Sequence, residues 1–284
     1  MTGIRKSRSG YRAAWPLAAA VLLTLAAPAR SDDASPWANN GNDAALRLIA
    51  GSAKPNATTL RAGIEIKLAP GWHTYWRYPG DSGVPPQFDF SGSQNLGHAQ
   101  VRYPAPHLYT DETGNTLGYT DDVIFPVIVT PQQPGKPVEL HVKADYAICA
   151  KLCVPARGQA ALTLSGGNSS NDALLTAAEA HVPKIVPAAE LGLTVRRAND
   201  AAKPLIAVDL KAPAGVPLQV FVEGPTAEWA LPVPQPAAGA PAGHRRFGFV
   251  LDGLPPGISP KGHFDLIFTV VEGDAAYQTT AHLD

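Results

Sequence analysis

Proline interrupts this chain about once every ten residues, 28 times in 284, with 26 glycines besides. An interior proline costs a helix about 3 kcal/mol, so no long helical core can form. What lies between the interruptions has a period of two. Ile64, Ile66 and Leu68 alternate with Glu65 and Lys67; Val138, Leu140, Val142 and Ala144 alternate with Glu139, His141 and Lys143. Such alternation marks strands with one buried face. Ala45–Ala50, Val101–Tyr103, Val123–Val129 and Ala160–Leu164 are further strand candidates, separated by Pro/Gly turns such as Ala69-Pro70-Gly71 and Gln133-Pro134-Gly135. Many short strands joined by such turns predict an all-β fold of antiparallel sandwiches.

The texture changes at Ser165. Ser-Gly-Gly-Asn-Ser-Ser-Asn, 165–171, reads as a flexible polar stretch, and Asp172 as the cap of a short helix from Ala173 to Val182, stopped by Pro183. Alternation resumes at Ile206, Val208 and Leu210, at Phe247, Phe249 and Leu251, and at Phe264, Leu266, Phe268 and Val270. The expected organisation is therefore a leader (1–29), a first sandwich (37–166), a linker with a short helix (167–187) and a second sandwich (188–284). The Pro/Ala-rich run from Pro232 to Pro241 is expected to be a long surface loop.

The leader has a basic start (Arg5, Lys6, Arg8, Arg12), an apolar run from Ala13 to Ala27 and the triplet Ala27-Pro28-Ala29. This is the order of a secretory signal peptide, with cleavage expected near Ala29 and no membrane span in the mature chain. The run is shorter than the ~20 residues that cross a bilayer. Removing the leader's four cations leaves 19 basic against 24 acidic side chains, a net of −5 in place of −1. That balance, without a basic stripe, argues against nucleic acid as a partner. Export places the chain where disulfides are permitted.

The chain has two cysteines, Cys149 and Cys153. A disulfide closing a ring of five residues contributes roughly 2 kcal/mol, against about 4.7 for a loop of 100. A domain with a good apolar core has little need of it, which favours redox chemistry. Four residues of extended strand span about 13 Å, whereas bridged Cα atoms lie within roughly 7 Å. A turn or helical hook must therefore separate the cysteines, with Pro155 suiting re-entry into a strand. Three chemistries stay open: dithiol/disulfide exchange, a passive small ring, and a Cu(I) or zinc site in which His73 and His107 are the available extra ligands. In Trp72–Tyr78, alternation sets Trp72, Thr74 and Trp76 on one face and His73, Tyr75 and Arg77 on the other, one of them core. Gly80-Asp-Ser-Gly83 reads as a tight turn rather than a serine nucleophile.

Three stretches carry a resemblance: Pro70–Pro86; Tyr109–Tyr119 followed by Val123–Val127; and Tyr146–Ala156 with both cysteines and Pro155. Together they resemble the N-terminal domain of the DsbD-type thiol:disulfide interchange family, in the subgroup of the copper-sensitivity suppressor ScsB. The resemblance implies an immunoglobulin-like sandwich with the redox pair at one end. It also implies electron relay, reduction by a membrane-embedded thiol reductant, thioredoxin-like periplasmic partners and no organic cofactor. Cytochrome c biogenesis and copper tolerance are the settings it brings. Cys153 would form the mixed disulfide and Cys149 would resolve it. An acidic pair beside the cysteines corresponds to Asp111 and Glu112, and an aromatic cluster to Tyr75, Trp76 and Tyr119. Better-known members place five residues between the cysteines where this chain has three, and an aromatic cap where this chain has Thr113 and Gly114. No Cys-x-x-Cys motif is present, so a relay would take its electrons from another protein. The role of the second sandwich (spacer, docking module or dimer surface) and the oligomeric state are not legible.

Overall fold

The apolar–polar alternation becomes strands nearly wherever it occurs. The computed structural model describes residues 1–3, 32–54, 56–111, 114–199, 201–213 and 215–284, with only the backbone of Asp111. Leader residues 4–29, with the apolar run and the expected cleavage site, lie outside the described residues. The strands of the first half are β1 (Ala38–Asn40), β2 (Ala44–Ala50), β3 (Leu60–Leu68), β4 (His73–Gly80), β5 (Gln87–Asp89), β6 (Leu96–Val101), β7 (His107–Asp111), β8 (Gly114–Thr120), β9 (Val123–Pro131), β10 (Val138–Cys149) and β11 (Cys153–Leu164). After the helix α1 (Asp172–Ala180) come β12 (Lys184–Ile185), β13 (Thr194–Arg197), β14 (Leu205–Lys211), β15 (Leu218–Glu223), β16 (Gln235–Ala237), β17 (His244–Val250), β18 (Phe264–Glu272) and β19 (Ala275–Leu283).

Among the described residues four sheets result, in the orders β1-β2-β3-β9-β6, β11-β10-β4-β8-β7 with β5 also on β10, β12-β19-β18-β15, and β13-β14-β17-β16. Each half is an immunoglobulin-like sandwich of two sheets. Among the described residues, the strands pair antiparallel except where β12 runs parallel to β19. Leu46, Ile64, Phe125, Leu140 and Ile148 are fully buried in the first half, and Ile206, Val208, Leu266 and Phe268 in the second.

The apolar core runs without a break from one half to the other, and residues 31–284 form one compact unit. β4 makes the junction. Trp76 packs on Phe221, with ring centroids 6.1 Å apart. Arg77 donates twice to Glu223, Nε to Oε2 at 2.9 Å and Nη2 to Oε1 at 2.7 Å, and once to Gln278 at 2.8 Å. The Tyr78 hydroxyl donates to the Leu231 carbonyl at 2.7 Å.

Three expectations need correction. The polar run 165–171 is not a loose tether. Ala53 and Gly167 exchange both backbone hydrogen bonds, at 2.9 and 2.8 Å. Ser169 Oγ donates to the Ala50 carbonyl and Asn171 Nδ2 to that of Asp33. The run lies against β2, and its backbone groups find partners there rather than in water.

The helix ends at Ala180, and Asn171 is its cap residue, without a side-chain capping bond. Asp172 sits inside the first turn. Its carboxylate accepts from the Ser52 backbone N–H at 2.9 Å and from Arg61 at 2.5 Å. Those bonds, the Ser52 amide first, hold the Asp172 carboxyl below its ordinary value. Leu175, fully buried, is seated against Gly51 and Gly63. A Cβ at Gly51 would stand 2.5 Å from Leu175 Cδ2 and one at Gly63 3.1 Å from its Cδ1, so small residues in β3 and after β2 make room for the helix. Thirdly, the 232–241 run is not all loop: Gln235–Ala237 forms an edge strand on β17, the kind of place where a strand tolerates Pro236, and Val233 is buried.

Candidate redox site

β10 and β11 form one long hairpin in which twelve consecutive residue pairs are in register, from Val138–Leu164 to Cys149–Cys153. Ala150, Lys151 and Leu152 make the connection, all exposed. The cysteines are thus directly opposite at the hairpin mouth, with Cα atoms 4.0 Å apart and the disulfide formed. The expected turn between them is this loop, and β10 continues straight to Cys149.

Burial along β10 shows how the site is covered. From Val138 to Asp145 alternate residues are buried, but Tyr146, Ala147, Ile148 and Cys149 are all buried. Tyr146 and Ile148 belong to the core between the sheets. Ala147 and Cys149 point the other way, and Tyr75 covers them in a separate small cluster. Cys149 is 9% exposed and Tyr75 2%, whereas Cys153 is exposed. One sulfur is sheltered and the other faces solvent.

Tyr75 reaches Cys153: its hydroxyl is 3.2 Å from Sγ. A disulfide sulfur carries no hydrogen, so the phenol donates. Backbone pairing holds the tyrosine there. His73 lies opposite both Cys149 and Thr120, and Tyr75 opposite Gly118. Thr74, on the inner face, donates to the Ala147 carbonyl at 2.8 Å. Gly83 lies over the tyrosine ring with φ +122°, where a Cβ would come within 2.3 Å of Cε1. The Gly80–Gly83 turn is therefore a lid on Tyr75, and glycine is required for both space and backbone angle.

The same outer face carries more rings. His73 meets Tyr75 edge-on at 5.5 Å and stacks on Tyr109 at 5.8 Å, and His107 meets Tyr109 at 6.5 Å. Asp81, beyond the lid, accepts from the Asn115 backbone N–H at 2.8 Å and from its side-chain amide at 3.1 Å. That ties the Gly80 turn to the β7–β8 hairpin. Asp111 ends β7 opposite Gly114; its side chain and all of Glu112 lie outside the described residues.

The other residues singled out in the sequence are dispersed. Trp76 is fully buried in the junction with the second half. Tyr119 is a core residue, its hydroxyl donating to the Pro104 carbonyl at 2.8 Å and its ring edge-on to Phe125 at 5.4 Å. Burial raises the Tyr119 phenol well above its ordinary value. Pro155, exposed in β11, pairs with Ala147 two steps from the disulfide, on a strand at the end of its sheet. Arg77, which alternation put beside Tyr75, leaves that face because the β4–β8 ladder shifts between Tyr75 and Gly80. Tyr109 and Gly83 are the neighbours that local sequence did not reveal; only the β4–β8–β7 register brings Tyr109 to His73.

Residues 46–165 match the family described as "Thiol:disulfide interchange protein DsbD, N-terminal". The crystal structure of the N-terminal periplasmic domain of ScsB from Proteus mirabilis superimposes with a TM-score of 0.67 at 19% identity, over 89% of this chain and 99% of that one. The similarity spans both sandwiches and is one of fold. Zebrafish RET cadherin-like domains 1 to 4 align over 88% of this chain and 64% of that one at 8% identity, with a TM-score of 0.21, too low to bear on the fold. No curated protein sequence matches the chain. The matched segment encloses both cysteines and all of the hairpin that presents them, so residues 46–165 resemble the N-terminal domain of the DsbD thiol:disulfide interchange family.

Proposed function

We propose that the Cys149–Cys153 pair relays two electrons between protein partners outside the cytoplasm. The observation that carries this reading is the position of the bridge: it crosses the mouth of a hairpin already held by twelve registered residue pairs, with one sulfur sheltered and one exposed. Such a bridge adds little to the fold and is open to attack.

Reduction of the pair begins when a partner thiolate attacks exposed Cys153 Sγ. The Sγ–Sγ bond breaks, Cys149 leaves as a thiolate and takes up a proton, and a mixed disulfide forms at Cys153. A second partner thiolate then attacks the partner sulfur and leaves the pair as two thiols. Delivery is the reverse. Cys153 thiolate attacks an acceptor disulfide, and Cys149 resolves the mixed disulfide by attacking Cys153 Sγ. Two electrons pass to the acceptor and the intramolecular bond returns. Tyr75 O–H, already donating to Cys153, favours its thiolate at each step.

The donor in this reading is a membrane-embedded thiol reductant and the acceptors are thioredoxin-like proteins, which the family match over 46–165 supports. No organic cofactor enters. Export is supported by the leader pattern and by the periplasmic origin of the matched ScsB domain. No helix of the described residues is long and apolar enough to cross a membrane. Copper tolerance and cytochrome c biogenesis are the two settings for such a relay, and its acceptors distinguish them.

A trapping experiment tests the relay. Cys149→Ser leaves Cys153 as the sole thiol and is expected to accumulate a reducible mixed disulfide with an oxidised thioredoxin-fold protein, while Cys153→Ser is not. Absence of any adduct with Cys149→Ser, together with tight Cu(I) uptake by the reduced native chain, would replace the relay with a metal site.

A further inference from the structure

A second cluster of chemically active side chains lies in the second sandwich. β18 and β19 pair so that Asp265 faces His282 and Phe264 faces Leu283. This register brings His263, just before β18, beside His282, and Asp284, just after β19, beside both. The imidazole planes are within 8° of parallel, with centroids 6.1 Å apart. Among the described residues, this is the one group of three His, Cys, Asp or Glu side chains whose ligand atoms all lie within 4.8 Å of one another.

The hydrogen bonding gives the cluster a direction. His282 Nδ1 is 2.7 Å from Asp265 Oδ1. A carboxylate only accepts, so Nδ1 carries the proton. In the neutral ring the lone pair is then on Nε2, which faces Asp284 Oδ1 at 3.4 Å. Two acceptors so placed repel unless a cation or a proton lies between them. His263 Nδ1 is 3.9 Å from the same oxygen. Ligand atoms around a tetrahedral cation at 2.0–2.1 Å are about 3.3 Å apart, so small rotations of exposed side chains complete the set. A histidine whose second nitrogen donates to a carboxylate is the usual arrangement behind a metal ligand, because that bond fixes the tautomer and the ring. Arg197 donates to the main-chain oxygen of Asp284 and steadies it beside the rings.

We propose that His263, His282 and Asp284 bind a divalent first-row transition cation, with Asp265 as the positioning carboxylate. Two imidazoles and a carboxylate are borderline donors, suited to Zn2+ and, more tightly, to Cu2+. Three protein ligands on an exposed edge leave coordination positions to water. The site is separate from any Cu(I) binding by thiolates and does not depend on the relay.

The test uses the full chain with Cys149→Ser and Cys153→Ser, so that no thiol contributes. Titration calorimetry with Zn2+ is expected to show one ion per chain with micromolar affinity, and Cu2+ to bind more tightly, with nitrogen couplings in its paramagnetic resonance spectrum. His263→Ala with His282→Ala should abolish binding. Asp265→Asn should weaken it by tenfold or more while leaving stoichiometry and the circular dichroism spectrum unchanged. Absence of one-to-one binding, or binding unaltered in the double histidine variant, would overturn the proposal.

Discussion

In the proposed relay, Tyr75 is the side chain through which the sandwich acts on the cysteine pair. Its hydroxyl donates to Cys153, its ring covers Cys149, and Gly83 lies over it. A hydrogen bond to a charged group is worth about 1.5–3 kcal/mol. Tyr75→Phe keeps the ring and removes the bond, so the Cys153 thiol pKa in a Cys149→Ser background is expected to rise by about one unit. Near neutral pH the thiolate fraction then falls about tenfold, while its greater nucleophilicity returns part of the loss, so attack on a disulfide slows about threefold. Thiolate absorbance against pH checks the first figure and stopped-flow exchange the second; an unshifted thiol pKa would show that the hydroxyl does not act on the sulfur. At this scale the sequence revealed what was local. The cysteines and their turn could be read from a spacing of four, and the placing of His73 and Tyr75 on one face from strand parity. Trp76 and Tyr119 could not be sorted from Tyr75 by type. Which aromatic meets the disulfide and which fills the core depends on strand pairing and on the shift after Tyr75.

At the scale of elements, α1 is held by long-range complementarity. Leu175 fits against Gly51 and Gly63, and Arg61 joins Asp172 at 2.5 Å and Glu179 at 2.6 Å across the same surface. Leu175→Ala would leave a cavity in a fully buried seat and is expected to cost about 3 kcal/mol, read as a lower denaturant midpoint with unchanged slope. A cost within 0.5 kcal/mol would mean that the helix is only loosely attached. The strands were legible because alternation is a local signal of burial on one face. The polar run before the helix reads as flexible because of its Ser and Gly composition, whereas the partners that hold it, Asp33, Ala50, Ser52 and Ala53, lie more than 110 residues away in sequence. The proline-rich run 232–241 is likewise only half legible: composition indicates a loop, and pairing with β17 makes part of it an edge strand.

For the whole molecule, the decisive feature is the continuous core across β4, which joins the strand bearing Tyr75 to the second sandwich. Composition gave two blocks of strands but not their junction, since the Arg77–Glu223 contact spans 146 residues. Burial within this unit raises several tyrosines: Tyr146 to about 12, and Tyr78, Tyr103 and Tyr119 likewise upward. Each folded value exceeds that of the unfolded chain, near 10. Their contribution is therefore complete below pH 10 and is lost as pH rises through the folded values, at about 1.4 kcal/mol per pH unit for each tyrosine kept neutral. Urea midpoints of the Cys149→Ser, Cys153→Ser chain are expected to be flat from pH 8 to 9.5 and to fall steeply above pH 10. A midpoint unchanged to pH 11 would contradict this burial. The relay itself is tested most directly by a redox titration: native chain equilibrated with glutathione buffers and then with stronger dithiol couples, the free thiols counted by alkylation and mass. An exchange pair is expected to interconvert fully and reversibly at a potential above about −300 mV. A disulfide that stays oxidised well below that value would be structural, and the relay would be wrong.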